Sequence, residues 1–271
     1  MPNYEDIKKH WDALSSHGGS YKSSWDDFYM LQKEMSEISK CIQGNESICD
    51  IGCNNGYCDF ELLSLFKDIK ILGVDFSNLL ISMAQESLEK SEHKDRIKFI
   101  MGNILDINTF PEKKFDIILI KRVLINLIDE KDQILAIENA KLLLNKNGKI
   151  ILSEAVEENW ARLNRLRLEV GLDRLEQPWH NKYLNDNVIK YLYSNFDVEL
   201  DNDYSSSYYI FSRVFYPWVK KTNKDDTLEY MSEINRMGST FPNFGDYGIQ
   251  RLFVLTQKKI NLRILLWNNQ H

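Results

Sequence analysis

Residues 47–60 read SICDIGCNNGYCDF. A short apolar run stops at Asp50. A turn built from Gly52, Asn54, Asn55 and Gly56 follows, and a helical pattern begins at Tyr57. Strand, glycine turn and helix in that order put the turn where an open α/β sheet binds its ligand, at the carboxyl end of a strand. The spacing Asp50-x-Gly52-x-Asn54-x-Gly56 is shorter than a dinucleotide fingerprint. It also lacks the Gly-Lys-Ser/Thr of a phosphate-cradling loop. An acid at the strand end suits a cationic or hydroxyl-bearing ligand better than a pyrophosphate.

Working outward, short apolar runs at 47–51, 70–75, 97–101, 115–121 and 149–155 read as strands, with helical patterns at 57–66, 78–90 and 130–144 between them. Such alternation predicts parallel βαβ units and a doubly wound sheet. Runs that are apolar throughout fit a sheet covered on both faces. NKNGK at 145–149 reads as a turn. Upstream, Phe28, Leu31, Met35, Ile38 and Ile42 form one helical stripe over 26–42, with Ser24 and Asp26 as candidate caps. After residue 155 come helices at 159–171 and 183–195, late strands at 196–201 and 247–257, and a helical insertion at 205–245. The second late strand is long enough to be antiparallel. The expected organisation is a helical lid over 1–44 and a main domain over 45–259, with cap insertions at about 156–195 and 205–245. A tail over 260–271 has no assigned place.

The chain has 271 residues, 43% of them hydrophobic, and a net charge of −6. That length suits one large domain with a cap. The acidic balance argues against a broad nucleic-acid surface. No run approaches the roughly 18 apolar residues of a membrane span, and the opening MPNYEDIKKHWD lacks a signal core, so a cytoplasmic location is expected. Cys41, Cys49, Cys53 and Cys58 lack paired zinc spacings and read as reduced structural thiols, so no metal is expected.

The next two strand ends complete a set. ILGVDFS closes on Asp75, placed to accept from ribose hydroxyls. FIMGNILD puts Asn103 and Ile104 after the third strand, where an amide meets an adenine edge. Over about 45–155 this set resembles the class I S-adenosylmethionine-dependent methyltransferases, with Asn54 standing where their loop has a glycine. Asn tolerates a left-handed backbone, so the turn is expected to survive with Asn54 at positive φ. The resemblance implies a Rossmann-like, seven-stranded, mostly parallel sheet, with S-adenosylmethionine as cofactor and S-adenosylhomocysteine as product. It further implies that Asp50, Gly52, Asn54, Gly56 and Lys121 lie near the methionine part. Asp75 and Phe76 would take ribose and adenine, and Asn103 and Ile104 the base.

The Pro-Pro-aromatic motif of base-amine methyltransferases is absent after the fourth strand, which reads IKRVLINL. The stretches FDIILIKRVLINLID, SEAVEENWARLNRLRLEVGLDRLEQPWHNKYL and SSSYYIFSRVFYPWV resemble small-molecule methyltransferases of bacterial surface-polysaccharide (capsule) biosynthesis. That implies a sugar, sugar phosphate or phosphoramidate-type acceptor. Arg122, His180, Tyr208 and Arg213 are the catalytic candidates. Tyr21, Trp25, Glu154, Asn164, Arg167, Asn181 and Tyr209 are the substrate-binding candidates. The arginines point to an anionic acceptor, because guanidinium groups without a counter-anion are costly to bury. Arg162, Arg165 and Arg174 fit a solvated helix face. A nucleic-acid or protein methyltransferase and a non-catalytic Rossmann-like binding protein are the alternatives.

Overall fold

The computed structural model describes residues 3–111, 114–223 and 229–258; the 260–271 tail lies outside the described residues. Seven strands form one sheet: β1 (Ser47–Ile51), β2 (Lys70–Asp75), β3 (Ile97–Met101), β4 (Phe115–Lys121), β5 (Leu144–Ala155), β6 (Phe196–Asn202) and β7 (Gln250–Gln257). Their order is β3-β2-β1-β4-β5-β7-β6. The first five are parallel, and β7 runs antiparallel to both β5 and β6. The order reverses between β1 and β4, so the binding crevice of this fold opens above those two strands.

The ten α-helices among the described residues are α1 (Tyr4–Leu14), α2 (Phe28–Ser39), α3 (Tyr57–Leu65), α4 (Asn78–Glu89), α5 (Glu130–Leu142), α6 (Glu157–Glu169), α7 (Asp186–Asn195), α8 (Ser206–Tyr209), α9 (Tyr216–Thr222) and α10 (Glu233–Thr240). A π-helical stretch, Ile210–Phe215, joins α8 to α9. Successive side chains of a strand point to opposite faces, and β4 shows the result. Ile117 and Leu119 join a core with Leu31 and Met35 of α2 and Leu62 and Leu63 of α3. Ile118 and Ile120 join the other core, with Ala136 and Ile137 of α5 and Val188 and Leu192 of α7.

Two local expectations change. The cap of α2 is Asp27, whose carboxylate accepts from the Met30 amide, and neither Ser24 nor Asp26 serves. The segment 145–149 is a bulge inside β5 rather than a turn before it. Leu144 pairs with Phe115 and Lys149 with Ile117, so the residues between them are looped out.

The loop after β4 is held from below. Glu154 of β5 is fully buried, and its two carboxylate oxygens accept from the backbone amides of Val123, Leu124 and Ile125. Glu154 was expected to bind substrate; instead it anchors the loop. Glu154→Ala should lower unfolding stability by roughly 3 kcal/mol, the order expected when buried donors lose their acceptor. Urea denaturation measures this, and an unchanged midpoint would remove the anchoring role.

Candidate active site

The turn after β1 is shaped by sterics at its first glycine. A Cβ on Gly52 would lie 2.2 Å from Val123 Cγ2, so a side chain there would push the β4 loop away. Gly52, Asn54 and Gly56 have φ of 76°, 54° and 77°. Asn54 therefore takes the left-handed conformation expected of it. Its amide donates to Asp75 Oδ2 at 2.9 Å, and the Ser77 amide donates to Asp75 Oδ1 at 2.9 Å. Asp75 thus ties the ends of β1 and β2 together. Burial raises its carboxyl to about 6, against the lowering pull of those two amides.

Beneath the turn lies a buried ion pair. Lys121 Nζ sits 2.8 and 2.6 Å from the two oxygens of Asp50, with both side chains almost wholly buried. Asp59 of α3 is buried beside them, and neither of its oxygens has a hydrogen-bond donor among the described residues. Burial, and then the charge of Asp50, push its carboxyl well above the usual carboxylate range. Burial alone would lower the Lys121 pKa, but Asp50 keeps the ammonium charged.

A cavity of about 140 Å³ opens over this floor. It is lined by Gly52, Asn54, Asp75, Phe76, Asn103, Ile104 and Lys121, and covered by Tyr4, Ile7 and Trp11 of α1. A second cavity of about 430 Å³ adjoins it. Both share Trp11, Ser24, Arg122 and Asn126, which form a neck between them. Arg122 has φ of 55°. A non-glycine residue in that region is uncommon, and such strain concentrates at functional sites. Its side chain pairs with buried Glu34 at 3.1 Å, donates to Ser24 Oγ at 3.0 Å and lies over the Trp25 ring at 4.6 Å.

The second cavity gathers several expected residues: Trp25, Arg122, His180, Asn181, Tyr209 and Arg213. His180 stacks on His10 with ring centroids 4.1 Å apart. Burial and the neighbouring His10 lower its pKa to about 4, so the ring is neutral. Arg213 pairs at 2.5 Å with fully buried Asp27, which also accepts from Tyr208 Oη.

Other expected residues face elsewhere. Asp50 is the counter-ion of Lys121 and does not line the cofactor cavity. Gly56 is also absent from its wall, although it shapes the turn as the left-handed cap of α3. Tyr21 packs against Phe28 and Tyr57. Asn164 holds the backbone of Leu175. Arg167 donates to the carbonyls of Asp173 and Arg213. Tyr208 is buried under the cap. None of Tyr21, Glu154, Asn164, Arg167 and Tyr208 lines either cavity. Conversely, the sequence reading named none of Tyr4, Ile7, Trp11, Asn126, Tyr183, Tyr230 and Gln250. Ile7, Trp11 and Leu14 share a helical face at steps of four and three, which signals a packed helix. Asn126 and Gln250 carry no such signal.

Against known proteins, a family model described as a methyltransferase domain matches residues 42–188. The chain belongs to the methyltransferase domain family. The chain is 30% identical over 141 residues to a ribosomal protein L11 methyltransferase of Staphylococcus haemolyticus, covering 51% of this chain and 41% of that protein. It is 34% identical over 126 residues to a tRNA U34 carboxymethyltransferase of Campylobacter jejuni, covering 46% and 39%. It therefore spans about two-fifths of the length of these curated relatives. Among solved structures, the N-methyltransferase NodS of Bradyrhizobium japonicum in complex with S-adenosyl-L-homocysteine aligns with a TM-score of 0.56 at 14% identity, over 92% of this chain and 99% of that one. This likeness is one of fold.

The family is one of methyltransferase domains, and the lining of the first cavity has the chemistry that S-adenosylmethionine needs. Asp75 offers a buried carboxylate at the rim, Ile51, Ile104 and Leu105 offer apolar walls for a base, and Lys121 and the turn line the floor. Among the described residues no group of three His, Cys, Asp or Glu side chains is placed to hold a metal. Asp75→Ala should weaken S-adenosylhomocysteine binding by about 1–3 kcal/mol. Because only the ionised carboxylate accepts from two hydroxyls, wild-type affinity should also fall as pH drops through about 6. Calorimetry across pH checks both. An affinity indifferent to Asp75 would remove its assignment to the ribose.

Proposed function

We propose that the chain moves a methyl group from S-adenosylmethionine to an oxygen or nitrogen of a small polar acceptor held in the second cavity. The observation that carries this reading is the neck. Two adjoining cavities meet at Trp11, Ser24, Arg122 and Asn126, and only the first has the turn and acid of a cofactor site.

The cofactor supplies a methyl group on a positively charged sulfur. The chain's part is to align the acceptor and to manage its proton. His180 lines the second cavity as a neutral imidazole, able to take a proton from an acceptor at neutral pH. The arginines are less suited to clamp an anion than their number suggests. Arg167 lies outside the cavity, while Arg122 and Arg213 already face the buried carboxylates of Glu34 and Asp27. The expectation of an anionic acceptor therefore loses its main support. The surface-polysaccharide setting rests on sequence resemblance alone, and the relatives described above are named for a ribosomal protein and a tRNA.

The test is release of S-adenosylhomocysteine across a panel of acceptors, after cofactor binding has been measured separately. Binding without turnover on any acceptor would favour a non-catalytic role. His180→Gln should lower turnover by about 100-fold or more and leave S-adenosylhomocysteine affinity unchanged. At saturating cofactor, wild-type turnover should hold through mildly acid pH and fall only as pH approaches about 4, where the imidazole protonates. A full rate in the His180→Gln enzyme would remove the proton-accepting role.

A further inference from the structure

The His180 imidazole has no hydrogen bond at Nδ1 to set its direction: that atom is buried and without a partner among the described residues. Nε2 is then the nitrogen left to meet an acceptor. A general base is normally oriented by a third group, and here rings take that place. His10 of α1 stacks on His180 with centroids 4.1 Å apart and planes 27° from parallel. Trp11 and Trp179 meet the same imidazole edge-on, at 5.9 and 5.3 Å. The helix that brings His10 is lightly held. Ile7 is its one buried residue, so few apolar contacts keep it in place. Asp12 of α1 accepts from the hydroxyl of Ser77, whose amide donates to Asp75. The same helix covers the first cavity with Tyr4, Ile7 and Trp11 and puts His10 into the wall of the second. His180 lines only the second.

We infer that His10 is a positioning residue: its ring holds the His180 imidazole in the direction that takes the acceptor's proton, and does so only while α1 lies closed over the cofactor cavity. This deepens the methyltransferase reading and rests on it. The backbone beside His180 is fixed already. The Asn181 amide donates to the Pro178 carbonyl at 2.9 Å, and the Lys182 amide to the Ile125 carbonyl at 2.6 Å. What remains free is rotation about the side-chain bonds, and the second of these in histidine has a broad energy profile. A stacked partner narrows it, because tilting the ring gives up the contact between the two flat faces. A flat ring at position 10 is therefore what the site needs, and not an imidazole as such. Because α1 also roofs the first cavity and is tied through Asp12 and Ser77 to the Asp75 corner, a cofactor seated beneath the helix steadies His10 and, through it, His180. Acceptor chemistry is thereby set to follow cofactor binding.

The deciding experiment needs no acceptor. It is NMR of the imidazole carbon-bound protons of the full chain, labelled with carbon-13 in histidine, free and saturated with S-adenosylhomocysteine. The His180→Gln chain identifies the His180 signal by its absence. In wild type that signal should lie away from free histidine, shifted by the ring stacked on it. It should move again when S-adenosylhomocysteine binds, although His180 does not line the first cavity. His10→Ala should return the signal toward free histidine and abolish the response, while His10→Phe should keep both. With an acceptor from the panel above, His10→Ala should lower kcat by on the order of tenfold with KM for that acceptor little changed, and His10→Phe should recover the rate. A His180 signal in His10→Ala that keeps its wild-type position or still answers S-adenosylhomocysteine overturns the inference. So does a His10→Phe chain that restores neither. If a variant does not fold, a wild-type His180 signal that ignores S-adenosylhomocysteine still overturns the coupling. S-adenosylhomocysteine is first titrated alone by calorimetry. Its failure to bind counts against the methyltransferase reading, while the signals of the free chains still judge the stack.

Discussion

Everything at the mouth of the sheet depends on the ion pair between Asp50 and Lys121. Taking two charges out of water costs several kcal/mol each, and that cost is offset only when the partners stay together in good geometry. Here one partner is the last residue but one of β1 and the other ends β4, so the pair pins the two strands where the sheet order reverses. Asp59, its carboxyl pushed up by burial and by the charge of Asp50, lies beside the pair. Above this floor the chain diverges, upward through the left-handed turn at 52–56 and sideways through the left-handed Arg122. Lys121 and Arg122 are neighbours in sequence, yet they point to different buried carboxylates, Asp50 and Glu34.

The strands were legible because a sheet covered on both faces needs nearly unbroken apolar runs. Accordingly β1, β2, β3 and β4 start and stop at the expected residues. The cofactor cavity was legible for a related reason: its residues sit at strand ends and in one contiguous turn. Asp75, Asn54, Asn103 and Ile104 needed no distant partner to be placed.

The second cavity was harder to read, because its chemistry is decided by partners far away in sequence. Arg122 looks like a free cation until Glu34, 88 residues earlier, is brought beside it. Arg213 likewise meets Asp27, 186 residues earlier. Glu154 looks like a site acid because a strand end was the productive place elsewhere, but its side chain turns into the protein and serves backbone amides. Residue type and position along a strand cannot distinguish those outcomes, and Gln250 was overlooked for the same reason.

The two asparagines of the turn do more than allow its shape. Asn54 exchanges hydrogen bonds with Ser23, accepting from its hydroxyl at 2.7 Å and donating to its carbonyl at 3.1 Å. Asn55 donates to the carbonyls of Gly18 and Ser20 at 2.7 and 2.8 Å. The segment that follows α1 is therefore latched to the turn at the base of the first cavity. Such a latch makes segment and turn a single cooperative unit, opening and closing together rather than fraying residue by residue. A glycine in the place of Asn54 would keep the curve of the turn but lose the two bonds to Ser23, leaving those of Asn55. The side chain that looks like a departure from pattern thus joins the segment after α1 to the turn, a tie that a glycine there could not make.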